Sequence, residues 1–331
     1  MYLAPPVPVS SRPLSESSTS VVVLAGGTGG AKLARGMLDV VRPEALTVVA
    51  NTGDDIEIYG GHVSPDPDLV TFWLADRIDG RGWGLEGDSF RVMEMLRELG
   101  EEIYFNLGDQ DLAIAIKRAQ ALAQGRRLTD VQRELGRTLG ARATVLPMSD
   151  QPVRTRILAN GSWHTLQEFL IAARGAGEVQ DVQFRGARVA RPTPEVLEAI
   201  AGAQLIVIGP SNPVISIGPM LAMPELRAAL ADSAAPVVAV SPIVGGAVLK
   251  GPTEALMRYQ GVEPGVAGLA TLYAGVIDAV VTDESTDTGL PTLRTDLLMD
   301  GAAGRARLAR ETVAFGASLD RRHTPRRTHT E

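Results

Sequence analysis

Short blocks of uninterrupted apolar residues alternate with amphipathic stretches over much of this chain. Residues 21–24, 46–50, 204–208, 236–240 and 276–281 are almost free of polar side chains. Runs of this length without alternation read as strands buried on both faces. The stretches between them carry helical spacing. Leu33, Ala34, Met37 and Leu38 follow the first run. Phe90, Met93, Leu96 and Leu99 share one face of a later helix, with Asp88 or Ser89 as its cap. Residues 103–105 predict a further short strand. Strand and helix in alternation predict a parallel sheet covered on both faces.

The rhythm changes after residue 108. Residues 109–140 predict two helices joined at Gly125, with Thr129 as N-cap of the second. Residues 143–148, 154–158 and 182–184 predict short strands around one helix near 166–173. The expected class is α/β: a doubly wound, Rossmann-like parallel sheet with a smaller α+β insertion. The core is assigned to 20–108 and 190–318, and the insertion to 109–189, over the C-terminal edge of the sheet. Residues 1–19, rich in Pro and Ser, read as a disordered extension, and 319–331 as a disordered basic tail.

The polar punctuation falls at strand ends, where open parallel sheets bind ligands. The first strand runs into Gly26, Gly27, Thr28, Gly29 and Gly30, and then a helix with Lys32 in its first turn. Strand, glycine loop and helix N-terminus make an anion site. No frame of this loop gives G-x-G-x-x-G, and Lys32 is followed by Leu33, so it is neither a dinucleotide fingerprint nor a P-loop. A tight βα turn without a ligand is the alternative. The later strand ends carry NTGDD (51–55), GPSNP (209–213) and SPIVGG (241–246), the last followed by Lys250. Ser211 and Asn212 are candidate nucleotide contacts, and Lys32 and Lys250 candidate phosphate countercharges.

Asp54, Asp55, Asp66 and Asp68 lie within fifteen residues. Beside a phosphate loop they suggest Mg²⁺, which takes one or two carboxylates plus substrate oxygens. The alternative is a solvated acidic loop in which Asp66 or Asp68 caps the next helix. Asp109 and Asp111 are open to the same two readings. Trp83 and Phe90 are candidates to wall an aromatic ligand or to pack in the core.

Composition narrows the classes. A net charge of −7 and 4% aromatic residues argue against nucleic-acid binding. With no cysteine, disulfides and thiolate metal sites are excluded, and of four histidines two, His323 and His329, sit in the tail. The N-terminus lacks a secretory pattern and no segment approaches ~18 apolar residues, so a cytoplasmic location without a membrane span is expected.

The ordered motifs GGTGGAKL (26–33), NTGDD (51–55), SPDPD (64–68), LGDQD (107–111), GPSNPVISIGPML (209–221) and SPIVGGAVLKGP (241–252) resemble those of the 2-phospho-L-lactate transferase family. The resemblance covers about residues 20–320. Two positions depart from the family pattern: Pro67 followed by Leu69 stands within S/C-P-D-L-D-T, and Gln110 replaces the Arg of G-D-R-D. The resemblance implies an Mg²⁺-dependent transferase of coenzyme F-420 biosynthesis. The terminal ribityl hydroxyl of the deazariboflavin Fo would attack the β-phosphorus of a guanylyl diphosphate donor, such as lactyl-2-diphospho-5′-guanosine, releasing GMP. It implies Asp54 and Asp55 as catalytic, Asp54, Ser89 and Arg91 at Fo, Asp54, Asp66 and Asp68 at the metal, and a homodimer. A non-catalytic nucleotide-sugar-binding regulator of the gluconeogenesis-factor type is the main alternative. An NAD-dependent oxidoreductase is another, weakened by the missing third glycine.

Overall fold

A computed structural model describes residues 19–248, 251–285 and 287–319. Lys250 and the segments read as disordered tails, apart from residues 19 and 319, lie outside the described residues. The strands are β1 (Val21–Ala25), β2 (Leu46–Ala50), β3 (Ile56–Ile58), β4 (Gly61–Val63), β5 (Thr144–Pro147), β6 (Arg154–Ala159), β7 (Ser162–Thr165), β8 (Val179–Arg185), β9 (Leu205–Ile208), β10 (Val237–Val240), β11 (Ile243–Val244), β12 (Ala247–Val248), β13 (Ala279–Thr282) and β14 (Thr292–Arg294). The helices are α1 (Gly27–Met37), α2 (Pro65–Leu74), α3 (Arg91–Glu98), α4 (Asp109–Ala123), α5 (Leu128–Leu139), α6 (Pro194–Ala201), α7 (Gly218–Leu221), α8 (Pro224–Asp232), α9 (Thr253–Tyr259), α10 (Val266–Leu272) and α11 (Gly301–Ser318).

Seven strands form the main sheet in the order β14-β13-β10-β9-β1-β2-β5, and every pairing is parallel. The apolar runs explain the layering. On β1, Val21, Val23 and Ala25 join the core under α1, α2 and α11. Val22 and Leu24 enter the opposite core, with side chains of α6, α7, α8 and α10. Each such buried aliphatic contributes roughly 1.5–3 kcal/mol, so a strand with no polar residue is stable only between two helical layers. This is the doubly wound α/β fold expected from the pattern. The order in which strands are added reverses at β1, with β2 and β5 on one side and β9, β10, β13 and β14 on the other, and this switch point is where the crevice of such a sheet opens.

The middle of the chain differs from the sequence reading. β5, from within 109–189, is the edge strand of the main sheet, parallel to β2. A parallel neighbour needs a crossover of a dozen or more residues, and α4 and α5 supply it. The part standing apart from the sheet is the antiparallel β7-β6-β8 layer. Residues 103–105 form no strand, and the helix expected near 166–173 is one π-helical turn, Glu168–Ala172. Thr129 lies inside α5, and Asp150 provides the cap by accepting from its amide (2.8 Å) and hydroxyl (2.7 Å).

Candidate active site

Three strand ends converge at the switch point. The Asn51 amide donates to Ala25 O at 3.1 Å and the Gly209 amide to Leu24 O at 2.9 Å, so the loops after β2 and β9 flank the glycine loop after β1. Ser211 Oγ accepts from the Gly26 amide at 3.1 Å and joins two of them. The glycines permit this packing. A Cβ on Gly29 would stand 2.0 Å from Pro210 O, one on Gly30 2.5 Å from Ser211 Oγ, and one on Gly26 2.6 Å from Ser216 Cβ. Those three glycines are therefore explained by loop-on-loop contact, a reason the sequence reading had given to phosphate approach. Helix α1 begins at Gly27, whose amide donates to Asp66 Oδ1 at 2.6 Å. The amides of Thr28 and Gly29 follow as first-turn donors, which a helix leaves without an intrahelical acceptor. Lys32 lies half-buried on the same helix. Asn212 shapes its own loop: Oδ1 accepts from the Val214 (2.9 Å) and Ile215 (3.1 Å) amides, and Nδ2 donates to Thr253 Oγ1 (2.9 Å).

The four aspartates separate into distinct environments. Asn51 Nδ2 donates to Asp54 Oδ1 at 2.8 Å and to Asp66 Oδ2 at 3.0 Å, drawing two buried carboxylates onto one amide. Burial first, then the charge of Asp66, holds the Asp54 carboxyl well above its ordinary pKa. Burial likewise raises that of Asp66, opposed by the Gly27 and Asn51 hydrogen bonds. A close buried carboxylate pair is the donor set a hard cation neutralises. Asp68 is different. Its carboxylate pairs with the fully buried guanidinium of Arg118, whose Nη1 also donates to His62 O at 2.9 Å. Asp55 accepts from Ser64 Oγ at 2.7 Å and faces His62 Nε2 at 3.0 Å. His62 Nδ1 lies 3.2 Å from Glu57 Oε1. Burial disfavours the His62 charge, but hydrogen bonds to Asp55 and Glu57 outweigh it and raise its pKa to about 9. Among the described residues no three acidic or histidine side chains gather as a metal cluster.

A cavity of about 320 Å³ opens beside this pair. Asp66 and Asp68 lie at its wall, with Phe72, Trp83, Phe90 and Tyr104 among its apolar lining. Trp83 is 62% exposed, too open for a core residue, and the Arg81 guanidinium lies 5.5 Å from the Phe90 ring centre. Asp111 also lines it. Burial first, then the charges of Asp68 and Asp88, pushes the Asp111 carboxyl up to about 7, and its buried Oδ1 has no hydrogen-bond partner. The lining does not include Ser89 or Arg91. Ser89 Oγ and the Arg91 amide both donate to Asp109, at 2.5 and 3.2 Å. Asp109 thus caps α3 while Asp88, accepting from the Gln110 (2.9 Å) and Asp111 (3.2 Å) amides, caps α4. The SPIVGG motif forms the β11–β12 hairpin, closed by Gly245 and Gly246 at positive φ.

Sequence reasoning missed Asn51 and Arg118. Arg118 had a signal: it sits in helical register with Leu112, Ala115 and Ala121 on the buried face of α4.

The family profile described as 2-phospho-L-lactate transferase CofD matches residues 21–296. A 2-phospho-L-lactate transferase of Methanosarcina mazei is 42% identical, over 80% of this chain and 87% of the relative. A phosphoenolpyruvate transferase of Streptomyces griseus is 37% identical, over 90% of this chain and 99% of the relative. The fold is also that of a UPF0052-family protein of Bacillus halodurans, with a TM-score of 0.61 at 18% identity, covering 90% of this chain and 99% of that one. A profile match across most of the chain, with relatives this similar over most of their length, places the protein in the 2-phospho-L-lactate transferase (CofD) family.

Proposed function

We propose that this protein moves a 2-phospho-acid from a guanylyl diphosphate donor to the terminal ribityl hydroxyl of Fo and releases GMP, a step of coenzyme F-420 biosynthesis. The observation that carries the reading is the position of the aromatic cavity. It would hold a flat heterocycle against Trp83, Phe90 and Tyr104, and it ends at Asp66, beside Asp54 and the N-terminus of α1. The hydroxyl of a ribityl chain leaving that cavity meets the donor phosphate there. Its oxygen forms the new bond to the β-phosphorus, the bond from that phosphorus to the GMP oxygen breaks, and a nearby carboxylate takes the hydroxyl proton. Asp54 is the candidate base, because it shares the Asn51 amide with Asp66 at the end of that cavity. Such substitution needs positioning and charge neutralisation more than covalent catalysis.

Asp54 and Asp66 would hold Mg²⁺, whose charge would neutralise the phosphate oxygens; Asp68 would not, being paired with Arg118. The Thr28 and Gly29 amides would face the diphosphate, with Ser211 fixing the loop that holds them. The regulator alternative predicts binding without turnover. Thermal-shift titration separates the ligand classes. GDP with Mg²⁺ should raise the midpoint more than GDP alone, and Asp54→Asn should abolish that increment. Stabilisation by NAD or a UDP-sugar, with none by GDP, would contradict the reading.

A further inference from the structure

A second cavity, of about 310 Å³, opens on the Asp54 side of the acidic pair. Its lining includes Asp54, Arg154, Thr155, Arg156, Gln167 and Arg185. The arginines are placed by strand register. Arg154 and Arg156 are two residues apart on β6, so they share a face. Arg185 on β8 is the direct cross-strand partner of Arg154. Like charges directly opposite one another destabilise a sheet unless something offsets them.

The offset is incomplete. Arg154 Nη2 donates to Glu57 Oε1 at 2.6 Å, and Glu57 and Asp55 share the His62 ring between them. With His62 protonated, this string holds two cations and two carboxylates. Arg156 stands outside it, its Nε donating only to the His164 carbonyl at 3.2 Å. Arg185 is exposed on the same face. Neither is paired with a carboxylate among the described residues. Two arginines without a carboxylate partner in the wall of one cavity call for an anion with acceptor oxygens.

We propose that this cavity is a specificity subsite for the carboxylate of the donor's phospho-acid, with Arg156 and Arg185 as its countercharges. The proposal rests on the transferase reading above. The chemistry of the donor fits it. A 2-phospho-acid carries its carboxylate on the same carbon as the phosphate ester oxygen, so a phosphorus held at Asp54 places the carboxylate in a cavity that begins at Asp54. Lactate, enolpyruvate and glycerate share this feature. The arginines would therefore require an acid without choosing among the three.

The test uses the full chain with Arg156→Gln and Arg185→Gln, singly and together, and two donors: the free acid and its methyl ester. GMP release gives KM for each donor and for Fo, and titration gives GDP affinity. The expected result is a rise in free-acid KM of about tenfold for each single variant and about 100-fold for the pair, the scale of lost charged hydrogen bonds. Ester KM, Fo KM and GDP affinity should not change, and Arg156→Lys/Arg185→Lys should recover part of the loss. Unchanged free-acid KM, equal loss for acid and ester, or loss of GDP affinity would each overturn the subsite while leaving the transferase reading intact. Wild-type protein that turns over no donor would refute that reading, and the subsite with it.

Discussion

At the scale of single residues, four aspartates that look alike in sequence do different work. Asp54 and Asp66 share the Asn51 amide, whereas Asp68 faces Arg118. Their substitutions should separate accordingly. Asp54→Asn removes a buried, repelled carboxylate, so unfolding in urea should show no loss of stability, while turnover should fall at least about 100-fold. Asp68→Asn strands a buried guanidinium and should cost on the order of 3–5 kcal/mol in the same unfolding assay. Equal effects of both substitutions on turnover and stability would contradict the division. The spacing of the aspartates revealed the cluster, but not this division, because Arg118 lies fifty residues away in the chain. Asp111 offers a pH test. Its carboxyl, near 4 when unfolded, is raised to about 7 in the fold. The folded state thus keeps a proton that the unfolded chain releases, and stability falls as pH rises from about 4 to 7. Asp111→Asn should remove that part of the slope and be more stable than wild type at pH 8, by at least about 1 kcal/mol. Parallel stability–pH curves for the two proteins would sink this.

At the scale of elements, the apolar runs made the central strands legible, because burial on both faces leaves no room for polar side chains. The shorter strands β5, β6 and β8 were also located, at 143–148, 154–158 and 182–184, but not which sheet each would join. β5 has three buried residues, and β6 alternates Arg154 and Arg156 with buried Thr155 and Ile157. That alternation is a period-two stripe whose arginines had no assigned role until the register with β8 was known. Helix caps were legible in kind but not in pairing. Asp88 and Asp109 each cap the helix that follows the other. Gly108 leaves the space for this exchange, since a Cβ there would lie 2.0 Å from Asp88 Oδ2. Asp88→Ala should therefore cost about 1 kcal/mol. Gly108→Ala should displace the same carboxylate, so the double variant should be less destabilised than the sum of the singles. Strict additivity by urea unfolding would show that Gly108 serves another purpose.

At the scale of the whole molecule, the switch point of a doubly wound sheet brings the glycine loop, the acidic pair and two cavities together. Aromatic side chains dominate one cavity and arginines the other, and the Asp54–Asp66 pair lies between them. The strand-end loops were readable because glycines and polar residues interrupt apolar runs at fixed places. The cavities were not, since their walls come from segments far apart in sequence, such as Trp83 with Ile171, or Glu57 with Arg185. Among the described residues no helix is long and apolar enough to cross a membrane. The central claim is that this arrangement joins a phospho-acid to Fo. The most direct measurement incubates the protein with Mg²⁺, Fo and the lactyl, enolpyruvyl or glyceryl diphosphoguanosine, and follows GMP and the deazaflavin together. The account predicts GMP release in step with a more acidic deazaflavin for at least one donor, both lost in Asp54→Asn. Protein that binds GDP tightly but releases no GMP with any of the three donors, and leaves Fo unchanged, would contradict it.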